Sequence, residues 1–193
     1  MSFDLLEKVQ QQSGYPVLQK IDPNTQQVAA DENRAPEDKF SQAAIPAVLT
    51  GLYLYVQSDE GAETFLKGDN SSNWVAHIFE DNKKDAVQII SAYSGQTVED
   101  TITKMNSIAN EAVKSVKENL PADAGIKEVK LFFSHQINNI LLYLPAALNM
   151  SELLHDTTLD DNTHKMRGPI SSLIQSIGAA FSNPVMGEEI KNN

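Results

Sequence analysis

The chain contains no cysteine. This excludes disulfide bonds, thiolate nucleophiles, and zinc or iron–sulfur sites built on cysteine. Basic residues are also scarce, since 15 Lys and Arg stand against 26 Asp and Glu, and the formal net charge is −11. Duplex binding depends on clustered Lys and Arg, yet the only adjacent basic pair is Lys83-Lys84. We therefore expect no nucleic-acid partner, and the same acidity disfavours an anionic membrane surface.

Long hydrophobic runs are missing as well. The longest, Ile140–Leu148, is far shorter than the roughly 20 residues that a membrane-spanning helix needs. The segment Met1–Lys8 has acidic residues where a signal peptide has basic ones, and it lacks a long apolar run. We expect no membrane span and a soluble, cytoplasmic protein.

Helical spacing of apolar residues is what the chain does contain. Apolar side chains recur every three or four positions from Val98 to Leu120 and again from Ile126 to Leu148, whereas strand-like alternation is almost absent. With 193 residues and 41% hydrophobic content, one domain, or one domain with appended arms, is expected. The pattern predicts an all-α protein, a multi-helix bundle of about six to eight helices. We place its centre at the helix pair Ala86–Tyr93 and Val98–Leu120.

Composition divides the chain into four regions. Residues 1–37 are interpreted as an N-terminal helix and a polar linker, 38–150 as the helical core domain, 151–168 as a polar loop, and 169–193 as a C-terminal amphipathic helix and tail. The N-terminal helix is either an arm docked on the core or a free interaction element.

Single residues predict helix boundaries and contacts. Ser58 and Thr97 have the character of N-caps. Gly68 is expected to end a helix in the left-handed conformation, Gly95 is expected to end the next one, and Gly51 is expected to let a neighbour approach closely.

Short motifs carry a resemblance to a known family. They are Ala44–Leu52 with its Ile-Pro-Ala-Val-Leu-Thr-Gly-Leu run, the Ser58–Ala62 turn, Trp74–Phe79, and the Ser94-Gly95 turn that leads into a long helix. Over about residues 40–120 the chain resembles the YidB-like family of bacterial helical domains. The resemblance implies an all-helical fold and a bacterial source, and it brings no activity, cofactor or catalytic residue. The chain departs from the family in its charged Glu80–Lys84 segment, where Gly is common, and in lacking the family's Gly-rich stretches.

The loop His155–His164 is rich in groups that bind metal ions. Carboxylates are the ligands that hard cations prefer, but the segment lacks the alternation, central Gly and closing Glu of an EF-hand loop. We expect a solvated loop whose side chains cap neighbouring helices, with a cation site as the alternative. The residues of that alternative site are His155, Asp156, Asp160, Asp161 and His164.

Catalytic patterns are weaker still. His77 and Glu80 have the i, i+3 spacing of carboxylate–histidine metal ligands in helical bundles, but a dinuclear site needs two such pairs and two further carboxylates that face inward, so packing and solvation are the preferred roles. Ser134 and His135 are adjacent on a predicted helix and cannot face each other.

Six aromatic residues form either a ligand pocket or, as we expect, a core with Tyr hydroxyls at its rim. They are Tyr53, Tyr55, Phe65, Trp74, Phe79 and Tyr93.

The segment Pro169–Phe181 is predicted to form an amphipathic helix separated from the core by a polar stretch. Such a helix either covers its own core or lies in a groove of another protein. Its predicted partner-binding residues are Ile170, Leu173, Ile174, Ile177 and Phe181. We therefore expect a non-enzymatic helical interaction or scaffold protein that binds a protein partner or itself and uses no cofactor. The alternative is a small-ligand or metal-binding helical protein.

Overall fold

The computed structural model describes residues 3–22, 34–68 and 73–148. Within these ranges the chain is all-α, as predicted, and contains no strand. The helices are α1 (Leu5–Gln12), α2 (Pro36–Tyr55), α3 (Asp59–Lys67), α4 (Trp74–Phe79), α5 (Lys83–Ser94), α6 (Val98–Asn119) and α7 (Ile126–Leu141), with short 3-10 turns at Glu80–Asn82 and Ala146–Leu148.

Helix α2 lies at the centre of the bundle. Every residue from Phe40 to Leu52 is buried, and α1, α4, α5, α6 and α7 all pack against the helix. A helix that is apolar around its whole circumference is stable only inside such a ring of neighbours. The expected central pair, α5 with α6, does pack together, but both of its members belong to the ring around α2.

The start of α2 differs slightly from the predicted region boundary. The polar linker was expected to reach residue 37, whereas the helix begins at Pro36, with Glu37 and Asp38 in its first turn. Proline suits the first helical position because its missing N–H would be unpaired there. Acidic side chains suit the positive end of the helix dipole.

Helix α1 is docked on the body, which selects one of the two alternatives for the N-terminal helix. Leu5, Leu6 and Val9 are buried, and α1 packs against α2, α6 and α7.

Most of the boundary predictions are confirmed. Ser58 accepts a hydrogen bond from the Gly61 N–H at 2.9 Å, and Thr97 accepts one from Asp100. Gly95 has a left-handed φ of 72°. Gly68 was wrongly expected to share that conformation, since its φ is −63°. It serves packing instead, because a Cβ there would collide with the ring of Trp74.

The apolar stripe that starts at Ile126 is not one helix. Helix α7 ends at Leu141, and the chain then turns through Pro145 into a 3-10 turn whose Leu148 is buried. Across the described ranges, no helix combines the length and the apolar content that crossing a bilayer requires.

Candidate functional site

Two of the four exposed large hydrophobic residues in the described part of the chain, Leu131 and Leu142, lie on the outward side of α7 and at its C-terminal cap. Leu131, His135, Asn138 and Leu142 recur at spacings of four, three and four, so they share one side of the helix. All of them are exposed, and the two leucines keep 50% and 44% of their surface accessible. We call these residues the α7 outer face.

Packing on either side holds this face in place. The opposite side of α7 is buried against the core through residues such as Phe133 and Ile137. Lys130 reaches α3 through an ion pair with Asp59, with 2.6 Å between Nζ and Oδ1, while Phe132 packs on Phe3 with ring centroids 5.6 Å apart. The face therefore lies between α3 and the N-terminal arm.

The strip is also electrically neutral. No Asp, Glu, Lys or Arg occurs from residue 131 to residue 151, although the whole chain has a net charge of −11. A neutral surface bearing half-exposed leucines is poorly matched to water and well matched to another apolar helix.

Two glutamines that the sequence did not single out attach the N-terminal arm to the body. The Gln136 side chain accepts a hydrogen bond from the Leu5 N–H at 2.9 Å and donates to the Phe3 carbonyl at 3.1 Å. Gln42, fully buried in α2, accepts from the Gln19 N–H at 2.8 Å. It also donates to the carbonyls of Gln19 and Tyr143. The sequence does contain a signal for Gln42, because it is the one amide side chain in the uncharged Phe40–Leu52 run. A buried polar group of this kind needs hydrogen-bond partners.

A second surface feature is a cleft of about 320 Å³ where the α2–α3 turn meets the end of α4. Glu60 and Glu80 on its rim are exposed, and neither forms an ion pair with another described residue. The lining residues are Leu54, Tyr55, Ser58, Glu60, Gly61, Ile78 and Glu80.

Glu80 is the one non-glycine residue with a positive φ among the described residues, at φ 41° and ψ −120°. This region matches the first central position of a type II′ turn, which favours glycine. Strained backbone of this kind is concentrated at functional sites, so it directs attention to the cleft.

The sequence-predicted pair His77 and Glu80 is not brought together on one helix. Helix α4 ends at Phe79, so Glu80 lies on the 3-10 turn, and the His77 ring instead neighbours Trp74 and Tyr55 at centroid distances of 5.6 and 6.2 Å. No group of three or more possible metal ligands is found among the residues that the structure describes.

The aromatic set forms core and rim, as expected. Phe65, Trp74 and Phe79 are buried, with the Phe65 ring 5.9 Å from Trp74. Tyr53, Tyr55 and Tyr93 are half-buried around them. Burial raises the pKa of Tyr93.

Ser134 and His135 do not form a dyad. Ser134 donates its hydroxyl to the Lys130 carbonyl at 2.8 Å, one turn back along α7. His135 is exposed on the α7 outer face.

The remaining predicted site residues lie outside the described residues. These are the alternative metal ligands His155, Asp156, Asp160, Asp161 and His164, and the partner-binding residues Ile170, Leu173, Ile174, Ile177 and Phe181.

Comparison with known proteins gives no assignment. No protein-family model, no curated protein and no solved structure matches this chain.

Proposed function

We propose that this protein is a non-enzymatic helical interaction protein that binds a protein partner, or a second copy of itself, through apolar helix faces. The observation that carries the proposal is the α7 outer face, which contains no charged residue and exposes about half of Leu131 and Leu142. The predicted helix 169–181 is a second apolar face of the same kind. We also propose, from the YidB-like resemblance and the composition, a bacterial and cytoplasmic setting.

The test compares assembly by the full chain with assembly by surface variants. Leu131→Asp with Leu142→Asp places charge on the α7 outer face, whereas Gln88→Asp places it at an exposed position on α5. Light scattering over a concentration range and crosslinking in the source cell report self-association and partner binding. We expect the double variant to lose an assembly that the wild type and Gln88→Asp retain. A strictly monomeric wild type with no crosslinked partner would contradict the proposal.

A second candidate function, small-ligand binding, is favoured by the cleft beside the strained Glu80. Glu60 and Glu80 line the cleft together with Tyr55 and form no ion pair with another described residue. These groups suit an organic cation such as a polyamine, since a cation is attracted to carboxylates and to aromatic faces. Spermidine should then raise the melting temperature of the wild type, and Glu60→Gln with Glu80→Gln should abolish the shift. Asp123→Gln, which removes an exposed carboxylate elsewhere, serves as the matched control. Equal shifts in all three proteins would indicate only general charge screening.

A further inference from the structure

We propose that the surface beneath residues 15–21, between α2 and the C-terminal end of α7, is a binding site for an extended segment of a partner protein. We call residues 15–21 the strap. In the structure the strap itself occupies this site, so that it must leave before a partner segment can bind. The proposal goes beyond the proposed function, because it concerns a different surface from the α7 outer face, and either can fail without the other.

The strap is held through its main chain. Gln42 is fully buried, and its side chain accepts from the Gln19 N–H at 2.8 Å and donates to the Gln19 carbonyl at 3.0 Å. A further hydrogen bond, to the Tyr143 carbonyl at 2.9 Å, fixes the orientation of this amide. The Ile21 N–H donates to the Leu142 carbonyl at 2.8 Å. Main-chain hydrogen bonds give affinity in peptide recognition whatever the side chains are, so a foreign segment can form all of those that the strap forms.

The strap turns an apolar side chain toward the body at every third position. Leu18 is 7% exposed, and Tyr15 and Ile21 are half-buried, whereas Val17 is 78% exposed. The Tyr15 ring packs on Phe40 with 5.7 Å between the ring centroids. The strap contains neither helix nor strand, and a period of three is that of the extended polyproline II helix. The site therefore suits an extended segment with an aromatic residue followed by aliphatic residues three and six positions later.

The strap can leave without undocking α1. Leu5, Leu6 and Val9 bury α1 independently of the strap. Between α1 and the strap lies Gly14, which has a positive φ of 70° and no atom within 4 Å of the place where a Cβ would stand. A glycine with open space around it permits a change of chain direction at little cost. Residues 23–35 connect the other end of the strap to α2.

The partner segment comes from another protein and not from a second copy of this chain. Each copy's strap is tethered to its own site, where the tether gives it an effective concentration in roughly the millimolar range. Exchange of straps between copies would form the same contacts and gain none. A foreign segment has no such site of its own, so it gains every contact that it makes here.

A peptide-binding assay on the full chain tests the site. Leu18→Asp releases the strap, because it places a charge where an apolar side chain is buried. The probe is a fluorescein-labelled peptide with the sequence of residues 13–22, and its binding is measured by anisotropy. We expect the released variant to bind the probe at least tenfold more tightly than the wild type, whose site is filled. The same peptide carrying Leu18→Asp should bind neither protein.

A second release variant makes a smaller change. Ile21→Pro removes the N–H that donates to the Leu142 carbonyl, and it decides the result if circular dichroism shows that Leu18→Asp has lost helix. Adding Gln42→Leu to a released variant should abolish probe binding, whereas Gln88→Leu, at an exposed position on α5, should leave it unchanged. Equal probe binding by the wild type and the released variants, or binding that Gln42→Leu leaves intact, would overturn the proposal.

The choice of partner has its own test. Wild-type chain is passed over an immobilised released variant, and we expect no capture, because the wild-type strap stays in its own site. Capture that the free probe peptide competes away would overturn the choice of a foreign segment and would show that straps exchange between copies.

Discussion

Helices α2 and α7 each contain a long uncharged stretch, but their surroundings differ. Residues 40–55 of α2 and 131–141 of α7 include no Asp, Glu, Lys or Arg, yet α2 is buried around its whole circumference from Phe40 to Leu52, whereas the α7 outer face leaves Leu131 and Leu142 about half exposed. Composition thus indicates that a helix favours burial, but the number of neighbouring helices decides how much burial it obtains. The open side of α7 is the difference on which the functional proposal depends.

The largest expected difference between the two helices is in the loss of stability when a leucine is replaced by alanine. Leu49 in α2 is fully buried, so Leu49→Ala should lower the free energy of unfolding by about 3 kcal/mol through lost burial and a residual cavity. Leu131→Ala in α7 should cost about 0.5 kcal/mol or less, as for most exposed positions. Urea denaturation of both variants measures the contrast. Equal losses would mean that the α7 outer face is as enclosed as α2.

The two arm-holding glutamines extend the comparison to polar groups. Gln42→Leu in α2 leaves the N–H and carbonyl of Gln19 and the carbonyl of Tyr143 without their partner. A cost of about 2 kcal/mol follows from the loss of three hydrogen bonds made by a side chain that is itself fully buried. Gln136→Leu in α7 removes two hydrogen bonds made by a half-buried side chain, to the Leu5 N–H and the Phe3 carbonyl, and should cost about 1 kcal/mol or less.

Hydrogen exchange provides the readout that separates a local effect from a global one. Faster exchange at the Gln19 amide should accompany Gln42→Leu. If Gln136→Leu proved the more destabilising of the two, the arm would depend mainly on α7 and the comparison would be reversed.

Glycine substitutions test how closely the neighbours approach each helix. A Cβ at Gly51 in α2 would collide with the Cγ2 methyl of the buried Ile78, so Gly51→Ala should cost about 1 to 2 kcal/mol despite its gain in helix propensity. At Gly125, the N-cap of α7, the nearest atom to a new Cβ is a Glu128 carboxylate oxygen at 3.4 Å. Gly125→Ala therefore meets no steric obstacle and should cost only about 0.5 kcal/mol, because Ala is a poorer N-cap than Gly.

The double variant Gly51→Ala with Ile78→Ala isolates the contact in α2. Removing the methyl group that collides should make Gly51→Ala less costly than it is in the wild type. Simple additivity of the two single variants would mean that the collision is relieved elsewhere.

Much of the fold could be predicted from the sequence because its signals are local. The 3.6-residue period gives α6, and the caps at Ser58, Thr97 and Gly95 fix helix ends through contacts within a few residues. The central position of α2 could not be predicted in the same way, because it depends on which helices surround it. Gly68 shows the same limit, since its role comes from the ring of Trp74.

Less of the candidate site could be predicted. The stripe from Ile126 to Leu148 showed which side of α7 faces inward, but the exposure of the opposite side depends on how α1 and α3 pack beside it. The cleft was missed because it joins the α2–α3 turn to the end of α4, which are distant in sequence, and because the positive φ of Glu80 has no signal in the residue type.

The smallest predicted effect concerns the two aromatic residues that flank α1. Phe3 packs on Phe132 of α7, whereas Tyr15 packs on Phe40 of α2 with ring centroids 5.7 Å apart. Burial, reinforced by the negative charge of Glu37, raises the pKa of Tyr15 to about 12. Because an unfolded tyrosine ionises near pH 10, the unfolded state loses its proton first. Stability should therefore decline as the pH rises from about 10 to about 12.

The magnitude is about 1 kcal/mol once the shift is discounted for the partial exposure of the Tyr15 ring. Tyr15→Phe should flatten the alkaline slope of the free energy of unfolding, measured by urea denaturation at pH 9 and pH 11. Some slope should remain, because Tyr93 also has a raised pKa. An unchanged slope in Tyr15→Phe would mean that water reaches the Tyr15 hydroxyl freely. The N-terminal arm would then be held on α2 less tightly than the packing of Tyr15 on Phe40 indicates.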